Sequence, residues 1–332
     1  MYDQRPIIPK QSVFFGRWDR RRIDRAITVN SGSYVHIRFT GSWIAAHFDV
    51  SLNQAPFPTL AWRIDDQPWQ EAELSSSVLL GYGLGMEAHD VQLMVRGLDE
   101  HQSRWKHPLV ASVTFTGFAL SDAGKFHRPL DAWVHPKLTM EFLGDSITEG
   151  VIVQEGHAGV DPGMPYTWPW LSDARMSYVG HTARRLGAAY RQVGFGATGL
   201  LRSGSGDAPG AIEAFNSFYA GCPRDRWQPQ IVVVNQGTNE PDMSEPQYAE
   251  HYAHYLGMIR AAYRKALIIG LCPFNGTHRD AIRRAVDERA KRGDRHVRFI
   301  DTAGWYDGPL HPNVDGSKLL GEKLAAAIKV LL

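Results

Sequence analysis

Cysteine is scarce in these 332 residues: only Cys222 and Cys272 occur, far apart and outside any C-x-x-C pattern. That excludes a disulfide framework and a cysteine-based metal knuckle, and leaves both as small buried hydrophobes. Neither sign of charge is in excess, with 36 Lys and Arg against 35 Asp and Glu. No net field therefore draws the chain to nucleic acid or to an anionic membrane, and neither partner is expected. The one basic run, Arg17, Arg20, Arg21, Arg22 and Arg25, reads as a solvated face. No segment holds eighteen uninterrupted apolar residues. The opening MYDQRPIIPK has neither the basic start nor the apolar stretch of a secretory signal, so a cytoplasmic chain is expected. Internal repeats and low-complexity tracts are also missing. What remains is the composition of a folded globular chain, and its length favours two domains over one.

The two halves carry different periodicities. Between Val13 and Leu120 the pattern is one of short strands, clearest at Ser33 to Phe39, where Tyr34, His36 and Arg38 alternate with Val35, Ile37 and Phe39. Similar stretches cover Trp43 to Val50, Thr59 to Ile64, His89 to Val95 and Val110 to Leu120, with turn signals between them. Strands in series without intervening helices predict an antiparallel β-sandwich or jelly roll over residues 1–120. A charged, proline-containing connector follows at 121–136, apolar at Phe126, Leu130, Trp133 and Val134. From 137 to 332 strands alternate with helices. The strands are Leu138 to Leu143, Ile231 to Asn235, Ala266 to Cys272 and Val297 to Ile300; the helices are Tyr178 to Leu186, Glu245 to Ala262, Arg279 to Lys291 and Ser317 to Leu332. This predicts an α/β domain with a parallel sheet, whose ligands bind at the carboxyl ends of the strands.

The chemistry-bearing segments lie in that second half. Gly144-Asp145-Ser146-Ile147-Thr148-Glu149-Gly150 comes directly after the first strand, where a serine can present its hydroxyl to the crevice. The segment can cap a helix and carry a nucleophile at once. A serine hydroxyl needs a base, and His311, in the stiff loop Gly308-Pro309-Leu310-His311-Pro312-Asn313 before the last helix, is the best placed of fourteen histidines. Donors for a tetrahedral oxyanion are available in Gly194-Phe195-Gly196-Ala197-Thr198-Gly199 and in Gly237-Thr238-Asn239-Glu240. His251 and His254 have no third ligand suitably spaced, so no metal or other cofactor is expected.

Together these four blocks, in this order, resemble the SGNH (GDSL-type) hydrolases. The resemblance implies a flavodoxin-like three-layer domain in which Ser146 is the nucleophile and His311 its base. Ser146, Gly196 and Asn239 then form the oxyanion hole, with the Ala197 N–H as an alternative to Gly196. The family's aspartate three residues before the histidine is replaced by Gly308. Asp307 is the nearest acid, and the orienting group is either Asp307 or a backbone carbonyl. The N-terminal strands with Gly16-Arg17-Trp18, the Trp227-Gln228-Pro229 segment and the aromatic insertion after the nucleophile resemble the two-domain family 2 carbohydrate esterases. That implies an acetylesterase acting on acetylated carbohydrate. Trp168, Trp170, Trp305 and Tyr306 are candidate walls for a sugar ring, against the alternative of core packing. A lipid-type or thioester hydrolase, and a carbohydrate-binding protein with an inactive second domain, are the competing readings.

Overall fold

Alternation in Tyr34–Thr40 produces the strand its pattern predicts: Val35, Ile37 and Phe39 are buried, while His36, Arg38 and Thr40 are partly exposed. The computed structural model describes residues 6–156, 163 and 165–332; the first five residues of the N-terminal stretch considered above lie outside them. Tyr34–Thr40 belongs to an antiparallel sheet with the spatial order Val13–Phe15, Tyr34–Thr40, His89–Gly97, Thr59–Ile64, Gln70–Glu73. A second antiparallel sheet runs Ala26–Thr28, Val113–Leu120, Trp43–Phe48, Ser77–Tyr82. Side chains from both sheets, among them Ile37, Phe39, Ile44, Trp62, Phe115 and Phe118, fill one core. Burying each such group is worth about 1.5–3 kcal/mol.

Four strands of this half escape the sequence pattern. Val13–Phe15, Ala26–Thr28 and Gln70–Glu73 are too short to show a period, and Ser77–Tyr82 takes in Gly81, which reads as a turn. The connector's apolar residues imply an ordered segment, but they are only partly buried: Phe126 and Trp133 are half-buried, while Leu130 and Val134 are exposed. Lys125–His127 adds to Tyr34–Thr40 as a strand, and the helical turn Asp131–Val134 lays Trp133 against His36 with ring centroids 4.5 Å apart.

The second half holds a five-stranded parallel sheet in the order Ala189–Gly194, Thr139–Gly144, Ile231–Asn235, Leu267–Leu271, Val297–Ile300. In chain order this is 2-1-3-4-5, the doubly wound arrangement whose direction reverses between strands one and three. Ala189–Gly194 is absent from the sequence reading because Arg191 and Gln192 break its apolar run. Arg191 pairs with Asp225, and Gln192 Nε2 donates to the carbonyls of Thr148 and Glu149. Both cysteines are free and buried, as small hydrophobes would be.

The halves share a boundary that is part apolar and part ionic. Phe15, Tyr34 and Met94 join the cluster of Met140, Phe142, Tyr178 and Tyr190. Three arginines from the first half meet three buried carboxylates of the second: Arg17 with Glu141 at 3.3 Å, Arg96 with Asp173 at 3.3 Å, and Arg104 with Glu149. Arg17 therefore departs from the solvated face expected of its basic run. It is 2% exposed and also donates to the carbonyls of Phe215 and Ser217, because a guanidinium with three oxygen partners tolerates burial where an unpaired one does not.

Candidate active site

The four blocks converge at the switch point of the parallel sheet, the place where open α/β sheets bind ligands. Gly144 ends strand one against Asn235 of strand three; a Cβ there would overlap Thr148 Oγ1 and come within 2.7 Å of the Asn235 carbonyl. The backbone thus turns without a side chain. Asp145 caps the next turn by accepting from the Ile147 N–H at 3.0 Å, and burial pushes its pKa up to about 6. Ser146 opens the one-turn helix Ser146–Glu149, which Gly150 closes at φ 81°, so the segment caps a helix and presents a hydroxyl together.

His311 Nε2 lies 2.8 Å from Ser146 Oγ. The histidine is held at the entrance to the helix Val314–Leu331, where Asn313 Oδ1 accepts from Gly316 N and Ser317 Oγ donates to the Pro312 carbonyl. The helix starts three residues earlier than its apolar period indicates, because Asn313 caps it. Burial holds the His311 pKa below the ordinary imidazole value, with the nearby Glu155 charge opposing that shift. The ring is therefore neutral near pH 7, the form that accepts the serine proton. Activity that depends on this base should rise with pH through a midpoint below 6.5, which a kcat/KM profile on an ester would measure.

Asp307 is not brought to the histidine. It is exposed, and among the described residues no carboxylate hydrogen-bonds His311. Among the described residues the acid whose charge acts on the ring is Glu155, which accepts from Tyr166 Oη at 2.6 Å. Asp307→Ala should cost less than about tenfold in kcat/KM, against the roughly ten-thousandfold loss for a true triad acid. Steady-state kinetics on one ester substrate would distinguish the two.

Asn239 reaches the same point from strand three. Its Nδ2 lies 3.0 Å from the Thr198 carbonyl and 3.3 Å from Asp145 Oδ2, which ties the amide between the nucleophile turn and the glycine loop. In that loop Gly196 is buried and Ala197 is held at φ 56°, a left-handed conformation that costs a non-glycine residue about 1 kcal/mol or more. Glu240, the last residue of the second donor segment, accepts from the N–H groups of Leu200, Leu201 and Arg202 and so locks the loop to strand three. Asn239→Ala is expected to lower kcat about a hundredfold with little change in KM, the signature of a donor aimed at the transition state. A rise in KM alone would make Asn239 a substrate contact.

The aromatic residues divide. Trp168 meets His101 edge-on at 4.8 Å on the part of the insertion that is described. Trp170 lies under the Arg96 guanidinium at 5.3 Å and is engaged at the boundary between the halves. Trp305 and Tyr306 pack on the apolar cluster beneath the His311 loop, with Tyr306 filling the space left by Gly308 and Gly316. Trp170, Trp305 and Tyr306 make these packing contacts while remaining half-buried. Arg104 and Ser31 were missed as site residues because they come from the other half of the chain. Both bind Glu149, the last residue of the nucleophile helix: Arg104 through two nitrogens, one at 2.7 Å, and Ser31 Oγ at 3.3 Å.

Residues 142–319 match the GDSL-like Lipase/Acylhydrolase family. The chain belongs to that family. This GDSL-like chain is 27% identical to the cellulase/esterase CelE of Acetivibrio thermocellus over 96% of its own length, and spans 39% of that relative. It is similar to the structure of an active-site mutant of a family two carbohydrate esterase from Clostridium thermocellum, at 25% identity and a TM-score of 0.75, covering 96% of this chain and 98% of that one. Its fold also resembles a family two carbohydrate esterase from Cellvibrio japonicus, with a TM-score of 0.80 at 19% identity over 98% and 97% of the two chains. Among the described residues of this GDSL-like chain no group of three or more His, Cys, Asp or Glu is arranged to hold a metal, and no helix is long and apolar enough to cross a membrane.

Proposed function

We propose that this chain is a serine esterase that removes acetyl groups from acetylated carbohydrates through an acyl-enzyme on Ser146. The observation that carries this reading is the 2.8 Å contact of Ser146 Oγ with His311 Nε2 at the switch point of the sheet. His311 Nε2 takes the serine proton as Oγ bonds to the ester carbon, and the carbonyl electron pair moves onto oxygen, facing the N–H groups of Ser146 and Gly196 and the amide of Asn239. The pair then returns, the bond to the sugar oxygen breaks, and His311 gives its proton to that oxygen. Water repeats the sequence on the acyl-enzyme and releases acetate.

Similarity to proteins named as esterases, extending over nearly the whole chain, supports turnover over a binding-only role and a carbohydrate ester over a lipid or thioester. The two antiparallel sheets fit a jelly-roll sandwich of residues 1–120, joined through 121–136 to a catalytic domain of 137–332. The test is acetate release from a panel of acetylated mono- and oligosaccharides beside an aryl acetate. Turnover of the aryl ester with no release from any sugar would remove the carbohydrate from the reading, and no turnover of either would remove the esterase.

A further inference from the structure

The loop that connects His89–Gly97 to Val113–Leu120 belongs to the antiparallel half, yet it lies against the glycine loop of the catalytic half. Arg104 N donates to the Gly206 carbonyl, and the Arg104 guanidinium sits 5.0 Å over the Phe195 ring on its way to Glu149. Glu100 enters between them. It is 8% exposed, and its Oε2 is buried without a hydrogen-bond partner among the described residues. That oxygen rests on the Cα of Gly196: a Cβ built there would overlap it. Glycine at 196 is thus demanded by an acid from the other half of the molecule and not by its own backbone angle, since Gly196 is absent from the residues at positive φ.

We propose that Glu100 is a positioning residue for the esterase reaction: its carboxyl, delivered by the antiparallel half, seats the Gly196–Ala197 turn at the oxyanion hole, and does so in its neutral form. The proposal rests on the esterase reading above. The charges around Glu100 argue for the neutral form. Glu149, Asp99 and Asp145 face it with negative charge, Arg104 is the facing guanidinium and is already shared with Glu149, and His101 Nε2 lies 3.9 Å from Oε1. Burial, with those three anions, pushes its pKa up to about 7. An ionised carboxylate beside Gly196 would repel the oxyanion that the turn is built to receive, so the rate should fall as Glu100 loses its proton.

The test uses the full chain and 4-nitrophenyl acetate, with kcat and KM followed between pH 5 and about 9. The wild type should show a bell whose alkaline limb falls near 7. Glu100→Ala should lower kcat about tenfold to a hundredfold with KM little changed, as a shifted donor does. Glu100→Gln, an isostere that cannot ionise, should recover most of that loss and lack the alkaline limb. Gly196→Ala should cost about a hundredfold or more in kcat, and Gly196→Ala with Glu100→Gly should regain at least about tenfold of it by removing the overlap. Circular dichroism on each variant separates loss of fold from loss of rate. An alkaline limb unchanged in Glu100→Gln, or a Gly196→Ala penalty the same with and without Glu100, would overturn the proposal while leaving the esterase reading intact. A wild type that turns over no ester would overturn both.

Discussion

Replacing Ser146 by alanine is expected to lower ester hydrolysis by about ten-thousandfold to a millionfold, the cost of losing the nucleophile when only binding and the oxyanion donors remain. The loss should fall on kcat, with the melting temperature nearly unchanged, because the hydroxyl's one hydrogen bond among the described residues is the one to His311. A serine-directed organophosphate should add once to the wild type, and peptide mass spectrometry should locate the adduct on Ser146. Acetate release from an aryl acetate would give the rate. Full activity in the alanine variant, or labelling of another serine, would refute the assignment.

The second large effect concerns the boundary between the halves. A fragment of residues 137–332 is expected to be insoluble or only partly folded. Removing the first 136 residues takes Arg17, Arg96 and Arg104 away from Glu141, Asp173 and Glu149, whose side chains are at most 2% exposed. All three ion pairs are lost with the arginines, and Asp173 keeps only Arg175. The cut also strips Phe15, Tyr34 and Met94 from the cluster around Met140 and Tyr190, leaving apolar surface in water. Expression of the fragment beside the full chain, with solubility, thermal melting and aryl acetate hydrolysis as readouts, checks this. A soluble fragment with full activity would mean that the two halves are independent.

Much of the fold was legible because its signals are local. Alternation in Tyr34–Thr40 and the unbroken apolar run Ile231–Asn235 announce a half-buried and a fully buried strand, and the glycine and histidine blocks lie where chain order puts strand ends and the last helix. The strand Ala189–Gly194 was hidden because its polar side chains are spent on distant partners, Asp225 and the carbonyls of the nucleophile helix. No periodicity reports on a bond between residues that far apart in sequence. The same reason hid the burial of Arg17: a guanidinium beside four other arginines reads as solvated until Glu141 is seen opposite it.

At the site the division is similar. By itself the sequence pointed to Ser146, His311 and the segments with candidate oxyanion donors, since each sits in a short block whose residue types suit that chemistry and whose place follows from a strand end or a helix start. Only the tertiary structure decided which acid acts on His311 and what stands behind the hole. Glu155 and not Asp307 bears on the imidazole, and Glu100 and Arg104 arrive from the antiparallel half to meet Gly196 and Glu149. Such pairings depend on Coulomb and contact forces that act over a few ångströms of space whatever the separation along the chain, and only folding brings those groups within that range.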